Sequence, residues 1–424
     1  MEDKLLKMVF STEKWTEAIH SGVAKDIDLS VLRRLTESET RLEMFHRMIS
    51  GTLRFNYPHM AQIPKDTPGE FRTVIVSEPE ARILDSIINN CLFELFPDMV
   101  HKRCKSYQKG IGTGNVALEV TEKIMAHQGN MLGVKYDFSK YFDTVAYEAI
   151  TAKFDEIERR LGFEKGTEPV VNYMRMVWAD NHVYDLEKNL TEQYMGIRQG
   201  NAIGSWLADS ILYELDEYMS KKYEYYVRYS DDLIVFGYKA DKITDDINSI
   251  ICKYGVKLNP KKVEVLKKNK WFKFLGYSFK GDKRTLSRRR IKDFQKKIAS
   301  LTVNKRQISY TKALNSVYRY LYKGDGKHAW ATQVLRYVNS VEDLQAMDEY
   351  IKDCLRAVKT GKKKLYGLGY DINRDNGVIP FATGKNVGEN LGKCPILDNY
   401  KSMLLMRNAL LTSKDAYETL VREM

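Results

Sequence analysis

The sequence holds little that would break, cross-link or bury it in a membrane. Only 9 of its 424 residues are proline, no stretch is low in complexity, and no internal repeat appears. A disordered composition is excluded. Five cysteines, Cys91, Cys104, Cys252, Cys354 and Cys394, are scattered and odd in number, and none forms a CxxC pair. That argues against a disulfide framework or a zinc site and for reduced thiols in a cytoplasmic protein. No apolar run approaches the ~18 residues of a membrane span, and the opening MEDKLLKMVFSTEKW lacks the apolar region of a signal peptide. No membrane partner is expected.

What is present is a core and a charge. Hydrophobic residues make up 43% of the chain, enough for roughly two to four domains. The formal net charge is +12. An excess of Lys and Arg suggests a polyanionic partner, nucleic acid first and an acidic membrane second.

The pattern along the chain is mixed. Residues 1–50 have apolar positions at three- and four-residue spacing and read as helical. FNYPHMAQIPKDTPGEFRTVIVSEP (55–79) reads as short strands around Pro/Gly turns. Residues 81–100 return to helical period, and a strand-like GVKYDF follows at 133–138. Residues 145–180 and 200–222 read as helix, the latter as one long helix. Residues 225–238 read as two strands, 240–254 as helix, and 256–266 and 271–280 as strand. The remainder is mostly helical, with Gly-rich breaks at 361–377 and 384–392. The fold class expected is α+β, a small antiparallel sheet with helices packed on it.

One stretch carries chemistry. In YYVRYSDDLIVFGY (225–238), Asp231 and Asp232 sit side by side between two apolar and aromatic runs. Turn chemistry alone accounts for Ser230-Asp231, since two-residue hairpin turns favour such residues. A third carboxylate changes the reading. Asp137 ends the apolar strand of VKYDFSKYFDTV, and strand-end carboxylates of neighbouring strands can converge. Three carboxylates, a backbone carbonyl and a triphosphate can together hold two Mg²⁺ ions. Two metals ~3.5–4 Å apart stabilise the attacking and leaving oxygens of a phosphoryl displacement, and bound cations would offset the clustered negative charge.

The order and spacing of these blocks over about residues 50–280 resemble the reverse transcriptases, of the bacterial group II intron and retron-like kind. The resemblance implies a right-hand polymerase. Its expected parts are an N-terminal helical region (1–50), fingers with part of the palm (51–130), a palm with the catalytic carboxylates (131–280), a helical basic thumb (281–360) and a C-terminal extension (361–424).

It also implies roles. IPKDTPGEFRTVIV (63–76) is similar to the fingers block, where Lys65 and Arg72 would grip the incoming triphosphate. KYDFSKYFDTV (135–145) resembles the first catalytic block. Asp137 would ligate both metals, the Phe138 carbonyl the second, and Phe142 would exclude a 2′-hydroxyl. Asp143 is read as a helix cap. GIRQGNAIGSWLAD (196–209) resembles the Gln-Gly block, with Gln199 and Gly200 along the nucleotide and template base. Here Ser205-Trp206 replaces the family's usual Ser-Pro, and Asp209 its usual Asn.

YSDD (229–232) resembles the second catalytic block, with Asp231 and Asp232 on the metals, Tyr229 at the nucleotide and Ser230 at the primer end. In GVKLNPKKVEV (255–265), Lys262 aligns with the lysine that protonates the leaving pyrophosphate. FLGYSF (274–279) resembles the primer grip, placing Phe274, Leu275, Gly276 and Tyr277 against the primer. Between 257 and 297 there are sixteen Lys/Arg against three Asp/Glu. This stripe, with Arg288, Arg289 and Arg290, lies where a thumb helix would track template–primer phosphates.

The activity implied is RNA-templated DNA synthesis from deoxynucleotides on a DNA or RNA primer. The retron-type accessory boxes are not evident, nor are late zinc-like or RNase H-like clusters. What remains is a stand-alone enzyme, which resembles the defence-associated, anti-phage group; that resemblance implies a structured noncoding RNA as template. The alternatives are a retron-type enzyme making an RNA–DNA hybrid and a non-catalytic RNA-binding protein on a polymerase scaffold. An RNA-dependent RNA polymerase is disfavoured by Phe142 and Tyr229-Ser230.

Overall fold

The computed structural model describes residues 3–64, 69–237, 239–324, 329–361, 368–370, 380–382 and 397–424. The chain divides into two compact units, the first formed by residues 1–110 and 134–264 and the second by residues 111–133 and 265–424. The class is α+β, as expected from the sequence: helices accompany small, mainly antiparallel sheets.

The first unit opens with helices α1 (Lys4–Val9), α2 (Thr12–Ile19), α3 (Leu29–Thr36) and α4 (Ser38–Ile49). Asp3, Ser11 and Asp28 cap the first three by accepting backbone N–H bonds. The hairpin anticipated at 55–79 is β1 (His59–Pro64) and β2 (Phe71–Val76), paired from His59↔Val76 to Pro64↔Phe71. Lys65, at its tip, lies outside the described residues. Helix α5 (Pro79–Leu95) starts on a proline that needs no N–H partner there, and buries Ile83, Leu84, Ile87, Ile88, Cys91 and Leu92 as one stripe.

The chain then enters the second unit on α6 (Thr113–Ala126) and returns along β3 (Met131–Asp137). There follow α7 (Tyr141–Thr144), α8 (Tyr147–Leu161), α9 (Pro169–Ala179), β4 (His182–Tyr184), β5 (Leu190–Glu192), α10 (Ile203–Ser210), α11 (Tyr213–Lys222), β6 (Tyr225–Tyr229), β7 (Asp232–Phe236) and α12 (Ala240–Ile251). One sheet has the order β2-β1-β4-β5; in another, β7 lies between β6 and β3.

The long helix expected over 200–222 is two helices, and the reason is a buried arginine. Arg228, fully buried in β6, forks onto Asp216 with bonds of 2.8 and 2.7 Å. Its guanidinium also donates to the carbonyls of Ala208 at 3.1 Å and Asp209 at 2.9 Å, and Tyr141 donates to Ala208 as well. In a continuous helix those carbonyls would take the N–H groups of Leu212 and Tyr213. With them diverted, α10 ends and α11 begins a turn later. The start also moves: Gly200, at φ +111°, is not helical.

The second unit takes up the chain on β8 (Glu264–Lys267) and contains the sheet β9 (Phe272–Phe274), β10 (Tyr277–Lys280) and β11 (Lys283–Leu286), in the order β11-β10-β9. Helix α13 (Arg288–Leu301) buries Ile291, Phe294 and Ile298 and leaves Arg288, Arg289, Lys292, Lys296 and Lys297 exposed. Helices α14 (Tyr310–Tyr318), α15 (Trp330–Gln333) and α16 (Val341–Thr360) follow. Tyr318, Tyr322 and Tyr337 are buried, so the Tyr/Arg-rich segment packs a core. The Gly-rich breaks predicted in the C-terminal extension lie mostly outside the described residues, as does Cys394. No helix among the described residues is long and apolar enough to cross a membrane.

Candidate active site

Asp231 and Asp232 sit at the tight turn of the β6–β7 hairpin. Tyr229 pairs with Asp232, leaving Ser230 and Asp231 as the two loop residues. Ser230 has φ +57°, and Asp231 is not in the left-handed region. That is the pattern of a turn with positive φ at its first central residue, normally a glycine's place.

β3 delivers the third carboxylate. The Phe138 N–H donates to the Asp231 carbonyl at 3.0 Å, fastening the end of β3 to the turn. On its other side the strand end is held by the segment before Lys262. The Asn259 N–H donates to the Asp137 carbonyl at 2.8 Å, and the Ser139 N–H to the Lys257 carbonyl at 2.8 Å. A short 3₁₀ turn, Pro260–Lys262, capped by the Asn259 side chain, then aims Lys262 back at the site. Lys262 Nζ lies 2.7 Å from Asp137 Oδ2, and Asn259 Nδ2 lies 3.4 Å from Oδ1.

The electrostatics follow from burial and crowding. Burial, then the Asp137 charge, pushes the Asp231 carboxyl up, against the opposing pull of Lys262 and Arg72. Burial together with Asp231 and Asp137 raises Asp232 further, to about 7. Burial works to lower Lys262, but the bond and charge of Asp137 prevail and raise it. Three carboxyls thus crowd together, and Lys262, Arg72 and Lys135 offset part of their mutual repulsion. Such oxygen donors suit a hard divalent cation. Among the described residues, no three acidic, histidine or cysteine side chains gather closely enough to hold a metal by themselves; Asp137 is engaged by Lys262.

The remaining predicted contacts of the first unit fall on elements tied together. Phe142 is half-buried in α7 with its ring edge-on to Tyr141. Its carbonyl accepts the Ile197 N–H at 2.7 Å. Gly196 is required there: a Cβ would lie 2.1 Å from the Phe142 oxygen. Gln199 accepts the Ile75 N–H at 2.7 Å through its carbonyl, and a Cβ on Gly200 would meet the Ile75 oxygen at 2.4 Å. The Gln-Gly segment is thus pinned to β2, which carries the exposed Arg72. Between them, Arg198 is buried over the Trp178 ring and bonds the Asp180 carbonyl. Asp143 sits inside the first turn of α7, and Lys140 occupies the cap position.

In the second unit, Leu275 and Gly276 form the turn between β9 and β10, at φ +50° and +78°. The Phe274 and Tyr277 side chains are buried, and Leu275 and Gly276 between them are half-buried. The Arg290 guanidinium lies over the Tyr277 ring at 4.9 Å. Arg288 and Arg289 are exposed.

Sequence reasoning missed the support beneath the turn: Ser106, Asp209, Asp216 and Arg228. Two signals were available, a lone arginine inside YYVRY and the Asp209 departure in the Gln-Gly block.

Residues 63–279 match the family model described as "Reverse transcriptase (RNA-dependent DNA polymerase)". The match covers just over half of the chain, and the chain belongs to that family, whose right-hand polymerase fold was the sequence expectation. Among solved structures it is similar to apo telomerase from Candida tropicalis, with 12% identity, a TM-score of 0.44, and coverage of 87% of this chain and 62% of that one. It is also similar to telomerase from Candida albicans in complex with a TWJ fragment of telomeric RNA, at 12% identity and a TM-score of 0.41, covering 72% and 60%. A third is C. tropicalis apo telomerase truncated from its C-terminal domain, at 14% identity and 0.41, covering 55% of each chain. The chain thus spans under two thirds of the length of these structures. No curated protein matches it.

Proposed function

We propose that the chain is an RNA-templated DNA polymerase that adds deoxynucleotides to a primer 3′ end. The observation that supports this most is the bond from Phe138 N–H to the Asp231 carbonyl. It joins the strand end of Asp137 to the turn of Asp231 and Asp232, whose charges then act on one another.

In this reading Asp137, Asp231 and Asp232, with the Phe138 carbonyl, hold two Mg²⁺ ions. Bound there, divalent ions stabilise the attacking and leaving oxygens of an in-line phosphoryl displacement. Lys262 gives a proton to the departing pyrophosphate. Arg72 and Lys65 bind the triphosphate, and Arg can do so in bidentate fashion. The Phe142 ring excludes a 2′-hydroxyl beneath the sugar. Gln199, Gly200 and Tyr229 line the nucleotide, and Ser230 the primer end. The turn of Leu275 and Gly276, supported by Phe274 and Tyr277, approaches the primer, while Arg288, Arg289 and Arg290 answer its phosphates. Fingers (51–130), palm (131–280) and thumb (281–360) follow, between the helical region 1–50 and the extension 361–424.

The template in this proposal is a structured noncoding RNA and the setting anti-phage defence. The net charge of +12 supports a nucleic-acid partner. Primer extension on RNA tests the chemistry. Wild type should extend, and Asp231→Ala/Asp232→Ala should not; equal extension by both would remove the site assignment. Sequencing the nucleic acid that co-purifies tests the template: a mixture with no recurrent RNA would overturn it.

A further inference from the structure

Ser230 is the residue on which the turn depends. A serine adopts φ +57° only when its surroundings impose it. Here each of its polar groups has a partner. Its N–H donates to Ser106 Oγ at 2.8 Å. Its carbonyl accepts from Arg228 Nη1 at 3.2 Å. Its hydroxyl lies 3.3 Å from the Tyr107 hydroxyl.

The Ser106 bond leads further inward. A serine hydroxyl has one proton to give. Since Ser106 Oγ accepts the Ser230 N–H, its own proton goes to Asp209 Oδ1, 2.5 Å away. The Cys104 thiol lies 3.4 Å from Ser106 Oγ. Asp209 is wholly buried on α10, and its Oδ2 has no hydrogen-bond partner. The nearby guanidinium of Arg228 is committed to Asp216 and to backbone carbonyls, including that of Asp209 itself. A buried carboxyl placed so, with one oxygen unpartnered and no cation bonded to either, is costly to keep. Its bond to Ser106 orients the hydroxyl that holds the turn.

We propose that Asp209 and Ser106 form a positioning relay for the catalytic turn. The Asp209 carboxyl fixes the Ser106 hydroxyl as an acceptor. That hydroxyl fixes the Ser230 amide, so the aim of Asp231 and Asp232 is set from α10. Neither residue touches substrate in this account. The consequence for activity rests on the polymerase reading; the consequence for the turn does not.

The test uses the full chain with Ser106→Ala, Asp209→Ala, Asp209→Asn and the double alanine variant. Three measurements are made: steady-state primer extension, thermal melting, and amide hydrogen exchange over residues 225–236. Asparagine keeps an oxygen for the Ser106 hydroxyl, so Asp209→Asn should stay within about threefold of wild type. Each alanine should lower kcat by about 10–10²-fold with KM for the deoxynucleotide little changed, as expected of a displaced reacting group. The double variant should be no worse than the poorer single one, because both cut the same chain of bonds. Exchange at the Ser230 amide should quicken in the alanine variants and not in Asp209→Asn.

Equal losses in Asp209→Asn and Asp209→Ala, additive losses, or unchanged Ser230 exchange in Ser106→Ala would each overturn the relay. If Asp209→Ala does not fold, Ser106→Ala, which removes a single oxygen, carries the test. If wild type extends no primer, the polymerase reading fails and the exchange measurement still decides the relay.

Discussion

Lys262 Nζ stands 2.7 Å from Asp137 Oδ2, so the carboxylate at the end of β3 already has a cation on it. An ammonium there both lowers the local charge and competes for the oxygen a metal would use. Replacing it with methionine should tighten divalent-ion binding to the free protein by about fivefold, the scale of a partly exposed pair. Turnover should fall by about 10²-fold or more, as when a general acid is lost. Mn²⁺ titration followed by electron paramagnetic resonance, with single-turnover extension, separates the two effects. Weaker ion binding in Lys262→Met would show that the lysine supports the carboxylates rather than competing for them.

Phe142 is held by its backbone, so its ring can be removed by itself. The carbonyl accepts from Ile197, and Gly196 packs against it. Phe142→Ala should keep deoxynucleotide incorporation within about tenfold and lower discrimination against ribonucleotides by about 10–10²-fold. Gly196→Ala should behave differently, because its Cβ would meet the Phe142 oxygen at 2.1 Å at a φ of +54°. That variant should lose stability and both activities together. Unchanged sugar selectivity in Phe142→Ala would remove the ring from the gate.

Asp85 makes stability depend on pH in a direction opposite to most carboxylates. Burial raises it to about 7, against the bonds of Tyr173 and Asn201 and the charge of Arg198. The folded protein then keeps a proton that the unfolded chain releases near its ordinary value of 3.8. With more protons bound in the folded state, this group's contribution is fullest at acid pH and is lost as pH rises through about 7. Asp209, also raised to about 7 by burial, acts in the same sense. Melting temperature measured from about pH 5 to about pH 8 should fall less steeply for Asp85→Asn than for wild type. Parallel curves would show that Asp85 does not titrate in that range.

Basic residues of α13, Arg288 and Arg289 among them, are exposed opposite its buried Ile291, Phe294 and Ile298. Template–primer affinity should fall with log salt by about 0.7–0.9 per phosphate neutralised. Arg288→Gln/Arg289→Gln should make that slope shallower by about 1–2 with little effect on melting. Arg290→Gln should instead disturb the β9–β10 turn, since its guanidinium packs on Tyr277. A salt response that is flat in wild type would leave this face without a phosphate role.

The β6–β7 hairpin was legible because two apolar runs flank residues that make turns, and the strand end at Asp137 because it closes an apolar run. Period and turn chemistry report such local facts directly. The helix over 200–222 was read as continuous because its apolar spacing is helical throughout. Nothing in that spacing records that Arg228 would claim the carbonyls of Ala208 and Asp209. The resemblance assigned the Phe274–Tyr277 segment to the primer; that the Phe274 and Tyr277 side chains lie in the core is a tertiary fact that local pattern does not report.

By itself, then, the sequence determined the order of the blocks, the amphipathic faces of the helices and the family to which the chain belongs. Those are properties of neighbours along the chain. The tertiary structure alone decided that Ser106 and Asp209 meet although 103 positions apart, that Ile75 forbids a side chain at Gly200, and that Ser230 is held from three sides. Burial pattern says that a residue faces inward. Which atom it meets there is settled only when distant segments pack, because a hydrogen bond needs a partner within about 3 Å and at the right angle.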